Sequence, residues 1–237
     1  MTSVAAKTTA PGGSGNSSAR RELVLGEILE QATRLFADRG YEGTTLADIA
    51  ESVGITRPAL YNYIGSKDDL LGALVADVSQ RMAVALEEIR ARDADPGAKV
   101  RAMVELVVEQ RLAWPDRFRV LDREEASLPE EFAAAHRQAK RDVLAHMQAV
   151  IADGIEAGQF RRCDGRLAAL SIIGMCNWTA WWVSSSNPPD PRVVVPELAA
   201  NAEAMLRAPD GNLGGPLGAV RRIRDELAYV ERELSGG

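Results

Sequence analysis

Apolar residues recur every three to four positions through most of this chain, and the recurrences divide into about ten helical segments. Leu25, Ile28, Leu29, Ala32, Leu35 and Phe36 form one stripe over about 20–38, and Gly40 closes it. Leu46, Ile49, Ala50 and Val53 form a second, short stripe. Thr45 with Asp48 makes a capping box at its start, and Gly54 suits the sharp turn at its end. Ile55, Ala59, Leu60 and Tyr63 carry the buried side into a third segment, capped by Thr56 with Pro58 in its first turn. Ser66 with Asp69 then opens a long helix over about 67–92, with Leu70, Leu71, Leu74, Val78, Met82 and Leu86 inward.

Asp95-Pro96 signals the next helix, which runs to about Ala113 on Val100, Met103, Val104, Val107 and Val108. Trp114-Pro115 breaks it, and a short helix is expected around 118–125. Ser127 to Glu130 reads as a third capping box, starting a helix that Gly158 stops. The segment over about 164–184 is apolar almost all round, which requires burial on two sides. A helix over about 196–207 follows the SSSNPPDP loop. The expected organisation is therefore all-α. Residues 1–18, rich in Ser, Thr, Gly and Ala, form a disordered arm, and 19–66 a three-helix head. Residues 67–208 form a larger helical domain, and 209–237 a linker with one more amphipathic helix over 220–234.

The stretch TLADIAESVGITRPALYNYIGSK concentrates the candidate chemistry. Two short helices joined by a tight turn, with Thr56, Arg57, Tyr61 and Asn62 outward, are the layout of a helix-turn-helix that reads double-stranded DNA. Charge complicates this picture. The net charge is −6, and residues 1–69 hold seven Lys or Arg against nine Asp or Glu, a balance of −2. The useful cations are placed singly, at Arg20, Arg21, Arg57 and Lys67, so pairing two heads in a dimer would double a small set of phosphate contacts.

Other chemistry is sparse. Two cysteines, Cys163 and Cys176, and two lone histidines, His136 and His146, give no metal-ligand cluster and no disulfide framework. No nucleophile–base arrangement or phosphate-binding glycine loop is present, so neither an enzyme nor a cofactor is expected. No apolar run has the roughly 20 residues of a membrane span, and no signal pattern opens the chain, so the expected location is cytoplasmic. The contrasting class is a helical protein–protein interaction module without operator binding.

QATRLFADRGYEGTTLADIAESVGI followed by LYNYIGSKDDLL resembles the TetR family of one-component transcriptional regulators, with Ile64 where that family more often has Phe. The resemblance implies a ligand-controlled repressor with a helical effector-binding and dimerisation domain behind the head. It assigns phosphate contacts to Thr45, Tyr61 or Tyr63, and Lys67. It assigns major-groove contacts to Arg57, Tyr61 and Asn62, with Thr56 at the head of that helix and Pro58 against thymine methyls. It also implies that the last two core helices pair with their mates in a four-helix bundle, with Leu170, Gly174, Trp181, Trp182, Leu198 and Met205 at the interface. Phe118, Met147, Val150, Met175 and Trp178 are the expected lining of an apolar effector pocket. GMCNWTAWW is similar to a GMxNWxxxW stretch of actinobacterial regulators of lipid and steroid catabolism, several of which respond to acyl-CoA thioesters. That similarity would make Arg161, Arg162 and Arg166 candidate phosphate partners.

Overall fold

The computed structural model describes residues 14–182 and 190–208, with Pro188 and Arg224 as single positions. The expected linker and final helix, and the first thirteen residues of the expected arm, lie outside them. Ten α-helices follow one another: α1 (Ser14–Arg39), α2 (Leu46–Val53), α3 (Arg57–Leu60), α4 (Lys67–Val75), α5 (Arg81–Arg90), α6 (Pro96–Ala113), α7 (Pro115–Glu124), α8 (Glu130–Glu156), α9 (Gly165–Trp182) and α10 (Pro191–Leu206). Among the described residues there is no strand beyond an isolated bridge between Phe160 and Arg207.

The local signals act as expected at most helix starts. Asp48 N–H donates to Thr45 Oγ1 at 3.2 Å, and the Asp48 carboxylate accepts from Thr45 N–H at 2.8 Å. Ser66 and Asp69 repeat that reciprocal box at α4, and Asp95 caps α6. Gly54 has φ of 75°, a left-handed conformation that suits glycine. There the Gly54 and Ile55 N–H groups bond back to Glu51 and Ala50, which satisfies two carbonyls that end α2.

Four boundaries differ from the sequence reading. Helix α1 begins at Ser14, so the end of the expected arm is helical; no Pro or Gly interrupts 16–25. The expected helix over 67–92 is interrupted by a π-helical turn at Ala76–Gln80. Helix α8 starts at Glu130, after a 3₁₀ turn at Glu125–Ser127, rather than from a Ser127 cap. Helix α10 starts at Pro191, capped by Asp190, and Pro196 lies inside it. Pro196 falls early enough in α10 to forfeit only one backbone bond near the exposed N-terminal turns.

Packing divides the chain into two compact units, 1–80 with 116–136 and 81–115 with 137–237. In the first unit, Ile28, Phe36, Ile49, Leu60, Leu70 and Leu74 share one core with Val120 and Leu121 of α7, Leu128 of the connection after it, and Ala133 of α8. Polar contacts reinforce it. Arg117 pairs with Asp77 of the π turn, and Ser79 of that turn meets His136 Nδ1 at 2.7 Å. Arg123 donates to the Phe36 and Ala37 carbonyls, which the end of α1 leaves without helical partners. Gly72 lies directly beneath the Phe132 ring, where a Cβ would collide with it.

The second unit is built on α6, α9 and α10. Met103, Val104 and Val108 pack with Met147, Val150 and Ile151 of α8, Ile172 and Cys176 of α9, and Leu198, Ala202 and Leu206 of α10. Arg101 grips the Glu203 carboxylate with two bonds of 2.7 Å, which ties α6 to α10.

Candidate functional site

The motif predicted from Thr45 to Lys67 is a helix-turn-helix with one face sealed and one open. Ile49, Ala50 and Leu60 are buried in the core of the first unit. Thr45, Thr56, Arg57, Pro58, Tyr61 and Asn62 are all exposed, and Tyr63 and Lys67 are half-buried beside them. The sealed face follows from the apolar spacing, and the turn at Gly54 sets the entry of α3.

Helix α3 is short, Arg57–Leu60, and tighter turns prolong it: Asn62 N–H bonds to Ala59 and Tyr63 N–H to Leu60. Tyr61 and Asn62 therefore sit on its closing turn. Arg57 Nη2 donates to Tyr61 Oη at 3.2 Å, and its guanidinium lies 5.8 Å from that ring's centre. The two side chains form one cationic unit on the open face. Thr45 Oγ1 donates to the Asp48 carboxylate at 2.6 Å. Hydrogen bonds from the Thr45 side chain and then its backbone N–H lower the Asp48 pKa, with Arg39 adding to them.

Lys67 is more engaged than its sequence position suggests. Its ammonium donates to the Tyr41 carbonyl at 2.7 Å and the Thr44 carbonyl at 3.1 Å, and lies 4.0 Å from the Tyr41 ring centre. Two of its three donors thus tie α4 to the loop before α2. Tyr41 Oη donates to Asp68 of α4, and burial, then that hydrogen bond, push the phenol pKa upward.

Three of the five residues expected to line an effector pocket, Met147, Val150 and Met175, share the core of the second unit. Phe118 packs against the core of the first unit. Met147 and Val150 are fully buried in the core of the second, with Met175 packed at its edge. Trp178 is 61% exposed and pairs with Trp181, ring centres 6.4 Å apart, instead of facing those residues. A helix apolar on all sides carries no phase signal, so its sequence could not assign these rings.

The polar residue overlooked in the core is Arg111. It is buried on α6, donates to Asn177 Oδ1 at 3.1 Å and to the Gln110 side chain, and burial lowers its pKa to about 10. Burial likewise pushes the Cys176 thiol up to about 12. Among the acyl-CoA candidates, Arg161 Nε is bonded to the Met205 carbonyl at 2.8 Å, while Arg162 and Arg166 are exposed.

The expected interface residues separate into two sets. Leu170 is 44% exposed, Trp181 43%, and Gly174 and Met205 are also exposed. Leu198 is 7% exposed within the core, and Trp182 packs partly against that core, so neither belongs to the open face. The reason for Leu198 is the phase of α10, set by a start at Pro191. One residue missed by sequence reading completes the open set: Leu167, 62% exposed. Leu167, Leu170, Gly174, Trp178 and Trp181 recur at three- and four-residue intervals along a single stripe of α9. A Cβ added at Gly174 would meet open space.

Among the described residues, no helix is long and apolar enough to cross a membrane, and no cluster of His, Cys, Asp or Glu is placed to hold a metal ion.

Comparison with known proteins accounts for both units. The family profile for bacterial regulatory proteins of the tetR family matches residues 28–74, and that for the tetracyclin repressor-like C-terminal domain matches 93–206. The HTH-type transcriptional repressor AcnR of Corynebacterium glutamicum is 42% identical over 62 residues, which is 26% of this chain and 33% of AcnR. The chain thus matches about a third of the length of that relative. A tetR-family regulatory protein from Rhodococcus RHA1 has a similar structure, with a TM-score of 0.69 and 25% identity over 79% of this chain and 98% of that one. AibR, solved in complex with isovaleryl coenzyme A and operator DNA, gives 0.64 and 26% over 78% and 99%. Two profiles that together span the head and most of the larger helical region, on an all-helical fold shared along almost the whole of those structures, place the chain in one group: it belongs to the TetR family of transcriptional regulators.

Proposed function

We propose that this chain is a cytoplasmic transcriptional repressor that binds a palindromic operator as a homodimer and is released by a small hydrophobic effector. The observation that carries the DNA reading is the open face of the helix-turn-helix. Thr45, Thr56, Arg57, Pro58, Tyr61 and Asn62 all reach solvent while the opposite face is sealed. Arg57 and Asn62 match the donor and acceptor patterns of guanine and adenine in the major groove. Thr45, Tyr63 and the remaining donor of Lys67 suit phosphate.

The open apolar stripe of α9 supports pairing of two chains. A row of Leu167, Leu170, Trp178 and Trp181 around a bare Gly174 suits close packing against another helix. Met205 of α10 extends the apolar surface available for that contact. Pairing there would set two reading helices one DNA turn apart, roughly 34–36 Å. AibR, which has been captured with both isovaleryl coenzyme A and operator DNA, supports an acyl-CoA thioester as the effector class. Arg162 and Arg166 at the start of α9 are the exposed cations for its phosphates. The effector would act by binding more tightly to a state whose reading helices are wrongly spaced.

The test is duplex selection from a random library by the purified chain, followed by anisotropy titrations on the enriched duplex. We expect salt-dependent binding with a palindromic consensus, weakened by medium-chain acyl-CoA but not by free coenzyme A. Failure to enrich or retain any duplex at low salt overturns the DNA reading. Enrichment without response to acyl-CoA overturns the effector class alone.

A further inference from the structure

We propose that Arg21 is a backbone-phosphate contact of the DNA-bound head, and that the Tyr63 ring is the positioning residue that holds it there. The proposal rests on the DNA-binding reading above and adds a residue that the helix-turn-helix pattern does not contain.

Three observations carry it. The first is where Arg21 lies. It is exposed on α1, 24 residues before the motif begins, yet its guanidinium carbon sits 5.5 Å from the centre of the Tyr63 ring. Tyr63 follows Asn62 directly, on the closing turn of α3, so the guanidinium is brought to the edge of the open face. The second is a shared pattern. Every tyrosine among the described residues has a cation over its ring: Lys67 over Tyr41, Arg57 over Tyr61 and Arg21 over Tyr63. The third is the charge balance. The first 69 residues carry −2, so a diffuse positive field does not supply affinity for a polyanion. The cations must act from fixed places.

Physical chemistry joins these points. A free arginine side chain loses much rotamer freedom when a phosphate captures it. A guanidinium already held over an aromatic face has lost part of that freedom beforehand, and the attraction to the ring uses its charge without pairing its N–H donors to an acceptor atom. Those donors match two phosphate oxygens. Tyr63 is half-buried against the core of the first unit, which fixes the ring that Arg21 covers. Lys67 differs, because two of its donors are bound to carbonyls. Arg21 therefore offers more free donors to DNA than the lysine inside the motif.

The experiment measures Kd against salt on the duplex enriched by the wild-type chain, for Arg21→Ala, Tyr63→Phe, Tyr63→Leu and the Arg21→Ala/Tyr63→Leu pair. Arg21→Ala is expected to weaken binding to all duplex sequences alike and to lower the slope of log K against log salt by about 0.9 for each protomer bound. Tyr63→Phe, which keeps the ring, should keep the wild-type slope even where loss of its neutral hydroxyl contact raises Kd. Tyr63→Leu should lose part of it, and the double variant should be no lower in slope than Arg21→Ala. Circular dichroism melting of each variant shows whether the head is folded, and Arg21→Ala, at an exposed position, keeps the test open if Tyr63→Leu unfolds. An unchanged slope in Arg21→Ala overturns the proposal while leaving operator binding intact. A lowered slope in Tyr63→Phe equal to that of Tyr63→Leu overturns the role of the ring, because an intact aromatic face then fails to hold Arg21 on the phosphate. No binding by the wild-type chain overturns the DNA reading itself.

Discussion

The two units of this protein solve different problems with different interactions. The first adds a dense set of directed polar contacts to its apolar core. Reciprocal caps open α2 and α4, Lys67 closes on two carbonyls, Arg123 satisfies the end of α1, and Arg117 and His136 grip the π turn. The second is held mainly by apolar burial between α6, α8, α9 and α10, and the ion pair that ties α6 to α10, Arg101 to Glu203, is partly exposed to solvent. Directed bonds fix side chains and helix ends at particular places, which a surface that reads DNA demands. Apolar packing fixes volume but tolerates substitution and rearrangement, which suits the proposed sensor, whose core would have to accommodate a ligand.

The largest expected effect lies on the open stripe of the second unit. Leu170→Arg places a charge in the middle of a row that is otherwise apolar. The chain is expected to sediment as a monomer, and operator affinity should fall by ~10²–10⁴ as the two heads lose their linkage. Retention of the wild-type oligomeric state would show that α9 does not mediate pairing. Next comes the core beneath it. Met147 is fully buried, and Met147→Ala should cost about 2–5 kcal/mol. Cys176 reports that loss directly, because a buried thiol with a raised pKa reacts only when the second unit opens. Its labelling in native protein should accelerate at least about tenfold in Met147→Ala, while amide exchange in α2 of the first unit stays unchanged. Parallel acceleration in both units would erase the distinction between them.

Much of the first unit was legible because its signals are local. Thr45 with Asp48 and Ser66 with Asp69 act over three residues, and Gly54 acts at its own backbone. The interruption at Ala76–Gln80 was not, since Leu74, Val78 and Met82 keep an unbroken helical spacing through it. Nor was the recruitment of Val120, Leu121 and Ala133 to the first core, which depends on contacts remote in sequence. In the second unit the helices themselves were legible, but their facing was not. The run containing Trp178, Trp181 and Trp182 is apolar on every side, so only packing assigns Trp178 and Trp181 outward and Trp182 partly inward. For α10, the resemblance placed Leu198 at the interface, and its burial in the second core depends on contacts remote in sequence.

Smaller effects test whether directed bonds govern the first unit. Thr45→Ala removes one acceptor for the Asp48 N–H and both of the threonine's side-chain bonds. It should cost about 1 kcal/mol, read as faster amide exchange in Leu46–Val53, with tryptophan fluorescence unaltered. Fluorescence serves because Trp114, Trp178, Trp181 and Trp182 all belong to the second unit. Gly54→Ala should cost a similar amount, about 1–2 kcal/mol, because it forces a Cβ into a left-handed turn.

The smallest expected effect is electrostatic and divides the units by residue. Hydrogen bonds from Thr45 lower the Asp48 pKa below its ordinary value of 3.8, and bonds from Arg192 do the same for Asp190 in the second unit. A carboxyl that binds its proton less readily when folded stabilises the fold at pH above the unfolded value. That stabilisation is lost as pH falls through the lower folded value, so both units should weaken in acid below about pH 4. Both carboxylates are exposed, so each effect is small and screened by salt. Asp48→Asn should flatten the acid dependence of amide exchange in α2 and leave the acid dependence of tryptophan fluorescence as it is. Asp190→Asn should do the reverse. An Asp48→Asn chain whose α2 still loosens in acid as steeply as wild type would show that the cap is not the group being titrated. The first unit's polar order would then have to rest on the long-range contacts of Lys67, Arg123 and His136 instead.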